Sequence, residues 1–238
     1  KVQCHDGTRG LEVAINDNTW LAVPVPDAIP DPFYDYQHHT YTIVDVPLGH
    51  LNDGINNLKF RVSDQGWWPQ NLINGAHLRV YYDAAKVSHP TGSITSPAPG
   101  TALGTEAVLQ ADVSSPNGAV TSVDFIALCE DANYEGDGVY RQWHYTFFHG
   151  DICNHVGTVS SSPWRLTWNT EWVPDQSEPM QLVGRVMDET KMVYVTEAVT
   201  GLTLARPGYS VELCRPYDIP TKWVTRKGEK SEQFDIAG

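Results

Sequence analysis

The sequence predicts an all-β protein, and three observations carry that prediction. Tryptophan and tyrosine are frequent, with 8 and 11 copies, and both residue types favour strands. Glycine and proline, 19 and 16 copies, cut the chain into short pieces bounded by turns. Windows with the apolar period of a helix are almost absent, whereas short runs alternate in the manner of half-buried strands. At 238 residues the chain is long enough for two small domains, each with its own core, and two are expected.

Charge and hydropathy narrow the partners. With 16 basic and 29 acidic residues the net charge is −13, which argues against nucleic acid and anionic membrane. No run approaches the roughly 20 apolar residues needed to span a bilayer, so no membrane insertion is expected. The chain opens without an apolar signal segment and reads as a mature or excised piece. Its four cysteines, Cys4, Cys129, Cys153 and Cys214, lack the C-x-x-C spacing of a zinc or redox motif. Disulfides are therefore expected in place of a cysteine metal site, with Cys129 joined to Cys153, and an oxidising extracellular, periplasmic or cell-surface compartment follows.

Residues 1–88 form the first expected domain. LEVAI at 11–15, TWLAVPV at 19–25 and HTYTIVDVPL at 39–48 alternate as strands do. Between them the proline-punctuated stretch 27–39 is a long loop that carries Tyr34, Tyr36 and His38, a candidate binding loop. Further on, Leu51, Gly54 and Asn56 precede alternating Leu58, Phe60 and Val62, followed by Leu78, Val80 and Tyr82. This L-x-x-G-x-N pattern resembles the closing strands of galactose-binding-like jelly rolls over about residues 10–84. The resemblance implies a β-sandwich whose end loops often hold carbohydrate. Trp67 and Trp68 fall in an expected loop, and adjacent residues of a strand cannot both be buried on one face, so an exposed aromatic is expected there.

Residues 89–206 form the second expected domain, entered through the linker HPTGSITSPAPG. Ile94 to Pro97 with Gly100 give I-x-S-P-x-x-G, Val120 to Phe125 give V-x-x-V-x-F, and Pro163 to Trp168 give P-W-x-x-x-W. Leu182, Gly184, Val186 and Asp188 give L-x-G-x-V-x-D. These marks resemble the bacterial Ig-like domains of secreted polysaccharide-active enzymes and adhesins, which implies a Greek-key sandwich of about seven strands with Trp168 in its core. Residues 207–238 hold a strand candidate, YSVELC, and a polar tail that reads as a linker or the start of a further domain.

Where such domains have a short hairpin, this chain inserts residues 129–155, CEDANYEGDGVYRQWHYTFFHGDICNH. Asp131, Asn133, Glu135 and Asp137, beside Gly136 and Gly138, follow the D-x-[DN]-x-[DE]-G arrangement that turns oxygen donors onto a hard cation, and Ca2+ is the expected ion. A solvated acidic turn between two strands is the alternative, since Gln142 stands where an EF-hand has its bidentate Glu and no helices flank the loop. Zinc is disfavoured: no H-E-x-x-H occurs, and strand alternation puts His144 and His149 on opposite faces. Arg141 and Trp143 join Trp67, Trp68, Tyr34, Tyr36 and His38 as candidate ligand-binding residues, because sugar recognition combines aromatic faces with polar hydrogen-bonding groups.

The expected function is a non-catalytic, extracellular binding or accessory module with a polysaccharide or glycan as partner. Two alternatives stay open. One is a structural segment of an adhesin, filament or surface assembly that contacts neighbouring domains or identical subunits. The other is a glycan-active hydrolase or lyase domain, although neither G-x-S-x-G nor a phosphate- or dinucleotide-binding motif is present.

Overall fold

The computed structural model describes residues 2–4, 10–24, 38–40, 42–63, 71–73, 75–132, 140–148 and 151–213. Among these every regular element is a strand except one 3-10 turn at Leu48–His50, so the protein is all-β. The chain divides into two units, one taking in residues up to Arg79 and the other Val80–Ala132, Tyr140–Phe147 and the residues from Asp151 onward.

In the first unit β1 (Val2–Cys4) lies between β4 (His38–Thr40) and β6 (Asn71–Ile73), antiparallel to both. A second three-stranded sheet sets β2 (Leu11–Ile15) between β3 (Leu21–Ala22) and β5 (Leu58–Val62). Leu11, Val13 and Val23 are buried here, with Leu21, Val44 and Val62 packed against them. The asparagines of the L-x-x-G-x-N stretch act as loop fasteners. Asn56 Oδ1 accepts from Asn52 N (2.8 Å) while its Nδ2 donates to Asn52 O (3.0 Å) and Gly54 O (2.9 Å). Asn16, in a turn with positive φ, donates to Asn56 Oδ1 (2.7 Å) and His50 O (2.9 Å).

The strand expected at Leu78, Val80 and Tyr82 does not form. Residues 75–83 carry no regular structure and leave Leu78 and Val80 exposed. Tyr82 is held by a side-chain contact in place of a ladder: its hydroxyl donates to Val193 O, and its ring lies 5.5 Å from that of His89.

The second unit is a two-sheet sandwich. One sheet orders β15 (Arg165–Asn169), β9 (Glu106–Ser114) and β7 (Thr91–Ser96), all antiparallel. The other runs β10 (Val120–Glu130), β16 (Met180–Asp188), β18 (Val199–Leu204), β8 (Ala102–Leu103), antiparallel until the parallel last pair. On β16 the short β17 (Val193–Val195) adds a further ladder. The free edge of β10 is shared by β11 (Arg141–Trp143), inside the insertion, and β14 (Gly157–Val159), just after it; between the two, β12 (Thr146–Phe148) pairs β13 (Asp151–Cys153).

Alternation fills the core. Ala107, Leu109 and Ala111 of β9 face Val123, Phe125, Ala127 and Cys129 of β10, with Leu182, Val186, Leu202 and Trp168 completing the layer. Each large side chain buried here contributes about 1.5–3 kcal/mol. Asp188 ends the L-x-G-x-V-x-D strand fully buried, 0 % exposed. Its carboxylate accepts from Ser115 Oγ (2.8 Å), Asn117 Nδ2 (3.2 Å), Thr190 N (3.0 Å), Thr190 Oγ1 (2.6 Å) and Met192 N (3.1 Å). Burial alone would push this carboxyl up; the hydrogen bonds outweigh it and hold it at about 2.

The strand expected from YSVELC does not form within 209–213. That stretch runs irregularly, and Val211 O is taken by Asp175 N (2.8 Å), a loop group outside any sheet.

Candidate functional site

The inward face of β10 does not stop at the hydrophobic core. Val123, Phe125 and Ala127 alternate inward, Cys129 is the last core position, and Asp131 continues the same parity just beyond the strand. Across the ladder Leu128 pairs Trp143 and Cys129 pairs Gln142. Asp131 N donates to Tyr140 O (2.9 Å) and His144 N to Ala127 O (2.7 Å), so the pairing continues at both ends. Residues directly opposite in a ladder share a face, which puts Tyr140, Gln142 and His144 on the side of Cys129 and Asp131.

One ligand atom each from Cys129, Asp131 and His144 lies within 4.8 Å of the other two. His144 Nε2 is 3.7 Å from Asp131 Oδ2. The backbone beneath is clamped, since Gln176 Oε1 accepts from Glu130 N (2.6 Å) and Gln176 Nε2 donates to Glu130 O (2.8 Å). Burial pushes the Cys129 thiol up to about 12, with the Asp131 charge adding to it. His144 is pushed below its ordinary value by burial, against the pull of Asp131. Cys129, 1 % exposed and held neutral, is the opposite of an activated cysteine nucleophile.

The expected Cys129–Cys153 disulfide is not formed; both thiols are free. The physical reason is register. Cys129 points into the sandwich core, while Cys153 sits in β13 with Sγ directed at Asp151 O (3.8 Å).

On the outward face, Arg141 donates to the main-chain oxygens of Glu178 and Pro179, and Trp143 is half-buried. A polar chain runs beside them: Arg185 Nη1 donates to Asp124 Oδ2 (2.9 Å), Thr158 Oγ1 donates to Asp124 Oδ1 (2.7 Å), and His155 Nε2 lies 2.7 Å from Thr158 Oγ1. Asp131 is the single member of the expected calcium set that the structure describes. Asn133, Glu135 and Asp137 lie outside the described residues, as do Tyr34, Tyr36, Trp67 and Trp68; of His38 only the backbone is described.

Trp172 is not among the residues expected to bind a ligand. Its side chain is 76 % exposed, on the turn after β15. The turn is rigid because the buried Arg206 guanidinium donates to Thr170 O (3.0 Å), Glu171 O (2.9 Å) and Val173 O, and pairs with Asp175. Arg206 also lies 5.6 Å from the ring of Tyr209. Next to this turn Asp175, Gln176, Glu178, Arg206 and Tyr209 line a half-open depression. An exposed indole on a fixed turn can stack on a ring, and the carboxylates and phenol lining the neighbouring depression can hydrogen-bond hydroxyls.

The family model described as Bacterial Ig domain matches residues 90–181, fewer than half of the residues of the chain. That span covers β7 to the first residues of β16, and the second unit is an Ig-like β-sandwich. No curated protein matches the chain. Among solved structures, the chain is similar to the fibronectin(III)-like modules of Clostridium thermocellum CbhA, at 13 % identity and a TM-score of 0.29, over 52 % of this chain and 100 % of that one.

Proposed function

We propose that this protein is an extracellular, non-catalytic accessory module that binds polysaccharide, with the Trp172 turn as its platform. The observation that carries the reading is Trp172 itself, a large aromatic left in water by a turn that Arg206 makes rigid. Leaving an indole exposed forgoes the burial it would gain in a core, and exposed aromatics of this kind mark interaction surfaces. Stacking uses the apolar face of a pyranose ring, while the Asp175 and Glu178 carboxylates supply acceptors for its hydroxyls. The acidic net charge favours neutral over anionic glycans. An Ig-like sandwich supplies the scaffold and leaves the chemistry to its loops.

The test is affinity electrophoresis against neutral and acidic polysaccharides, with and without calcium, for wild type and Trp172→Ala. Retardation in at least one neutral glycan, lost in the variant, is expected. No retardation in any glycan, together with concentration-dependent light scattering in sugar-free buffer, would assign the chain to the structural class of surface segments.

A further inference from the structure

We infer that Cys129, Asp131 and His144 form a binding site for a divalent transition-metal ion of the zinc class. A tetrahedral zinc holds sulfur at about 2.3 Å and nitrogen or oxygen at about 2.0–2.2 Å, which sets its ligands roughly 3.3–3.8 Å apart. His144 Nε2 and Asp131 Oδ2 stand at 3.7 Å already, and the whole trio falls within 4.8 Å.

The donor set chooses the ion. Thiolate, imidazole and one carboxylate suit zinc, cobalt and their neighbours. Calcium requires six to eight oxygens. The calcium loop expected from the sequence draws on the same Asp131, so the two ions make opposite predictions at Cys129 and His144.

Two further features support the site. Gln142, directly across from Cys129, has a buried Oε1 that no hydrogen-bond donor among the described residues reaches. A bound ion, or water on that ion, gives this oxygen the partner a buried carbonyl needs. The supporting shell is also in place before any ion arrives. Asp131 is fixed by Tyr140 O at its backbone and by Ala132 N at Oδ1 (2.7 Å), His144 by Ala127 O, and Glu130 by Gln176 on both sides. Chemistry other than metal binding fits the trio less well, because Cys129 is only 1 % exposed and gives a substrate no approach.

The experiment uses the full chain, chelator-treated and reduced, with its thiols counted first. Co2+ is titrated in, and the near-ultraviolet thiolate-to-cobalt absorption is read, followed by displacement with Zn2+ and, separately, with Ca2+. The expected result is one ion bound per chain, a charge-transfer band displaced by Zn2+ and untouched by Ca2+. Cys129→Ser abolishes the band, His144→Ala weakens Co2+ binding about 100-fold or more, and Cys153→Ser leaves both unchanged. His144 is only half-buried, so its variant reports even where Cys129→Ser unfolds. Absence of the band in the folded, reduced wild type, or full binding by His144→Ala, overturns the inference. Displacement of Co2+ by Ca2+ does so too, in favour of an oxygen-only site. None of these outcomes depends on whether the chain binds glycan.

Discussion

Replacing Asp188 is the sharpest test of how the sandwich is held together. Its carboxylate takes five hydrogen bonds: two from main-chain nitrogens of the turn after β16, one from the Thr190 hydroxyl, and two from Ser115 and Asn117 of the β9–β10 connection. In Asp188→Ala the hydroxyls rotate to other partners, but the Thr190 and Met192 amides and the Asn117 side chain lose their acceptor. Each stranded buried donor costs about 1–3 kcal/mol, and partial hydration reduces the sum, so a loss of about 3–5 kcal/mol is expected. Asp188→Asn keeps the Oδ1 acceptor and loses the charge, and should cost about 1–3 kcal/mol. The pH dependence separates charge from shape. The folded carboxyl sits at about 2, below its ordinary value of 3.8, so its contribution is complete above about pH 4 and fades as pH falls towards 2. Urea unfolding followed by tryptophan fluorescence at pH 7, 4 and 2.5 should therefore show the wild-type advantage over Asp188→Asn shrinking with acid. An advantage equal at pH 7 and 2.5, or an Asp188→Ala protein within 1 kcal/mol of wild type, would refute the assignment of Asp188 as the ionised hub of this corner.

Three further outcomes follow from the same geometry. Trp172→Ala should change stability by no more than about 0.5 kcal/mol in a melting experiment, since the side chain is exposed, while glycan retardation is lost. Phe125→Ala removes a fully buried ring from the sandwich centre and should cost about 3–5 kcal/mol by urea titration, with a transition still cooperative. Gly92→Ala sets a Cβ 2.6 Å from Val113 Cγ1 and 2.7 Å from Asp112 O, a contact with backbone that rotamers cannot relieve, and should lower the melting temperature clearly more than Gly104→Ala, which has only one neighbour at 3.9 Å.

The strands of the second unit were legible because their alternation is local. Val123 and Phe125, Trp168, and the run from Leu182 to Asp188 each announce their inward face within a few residues, and each is buried as that pattern requires. Residues 75–83 were less legible. Leu78, Val80 and Tyr82 alternate as well as any strand, yet a strand needs a partner edge, and Tyr82 is anchored by Val193, far along the chain. Trp172 failed for a similar reason. The turn that exposes it is held by Arg206, 36 residues beyond Thr170, which no local pattern links to it.

Cys129 shows where a local signal was present and was outweighed. Counting four cysteines suggested a disulfide-stapled loop, whereas V-x-F-x-A-x-C from Val123 continues the core alternation through Cys129 and on to Asp131. A side chain on that parity faces the sandwich interior, whereas Cys153 in β13 has its Sγ directed at Asp151 O. The other half of the cluster is non-local: His144 arrives only because Leu128 pairs Trp143, a register that no sequence pattern states. An insertion placed at the end of an inward-facing strand therefore has a consequence beyond covering that end. It carries new side chains onto the face the core residues already occupy, so that Gln142 and His144 meet Cys129 and Asp131 where the apolar layer gives way to donors. A loop of the same composition joined one residue earlier or later on β10 would present the opposite face and assemble no such cluster.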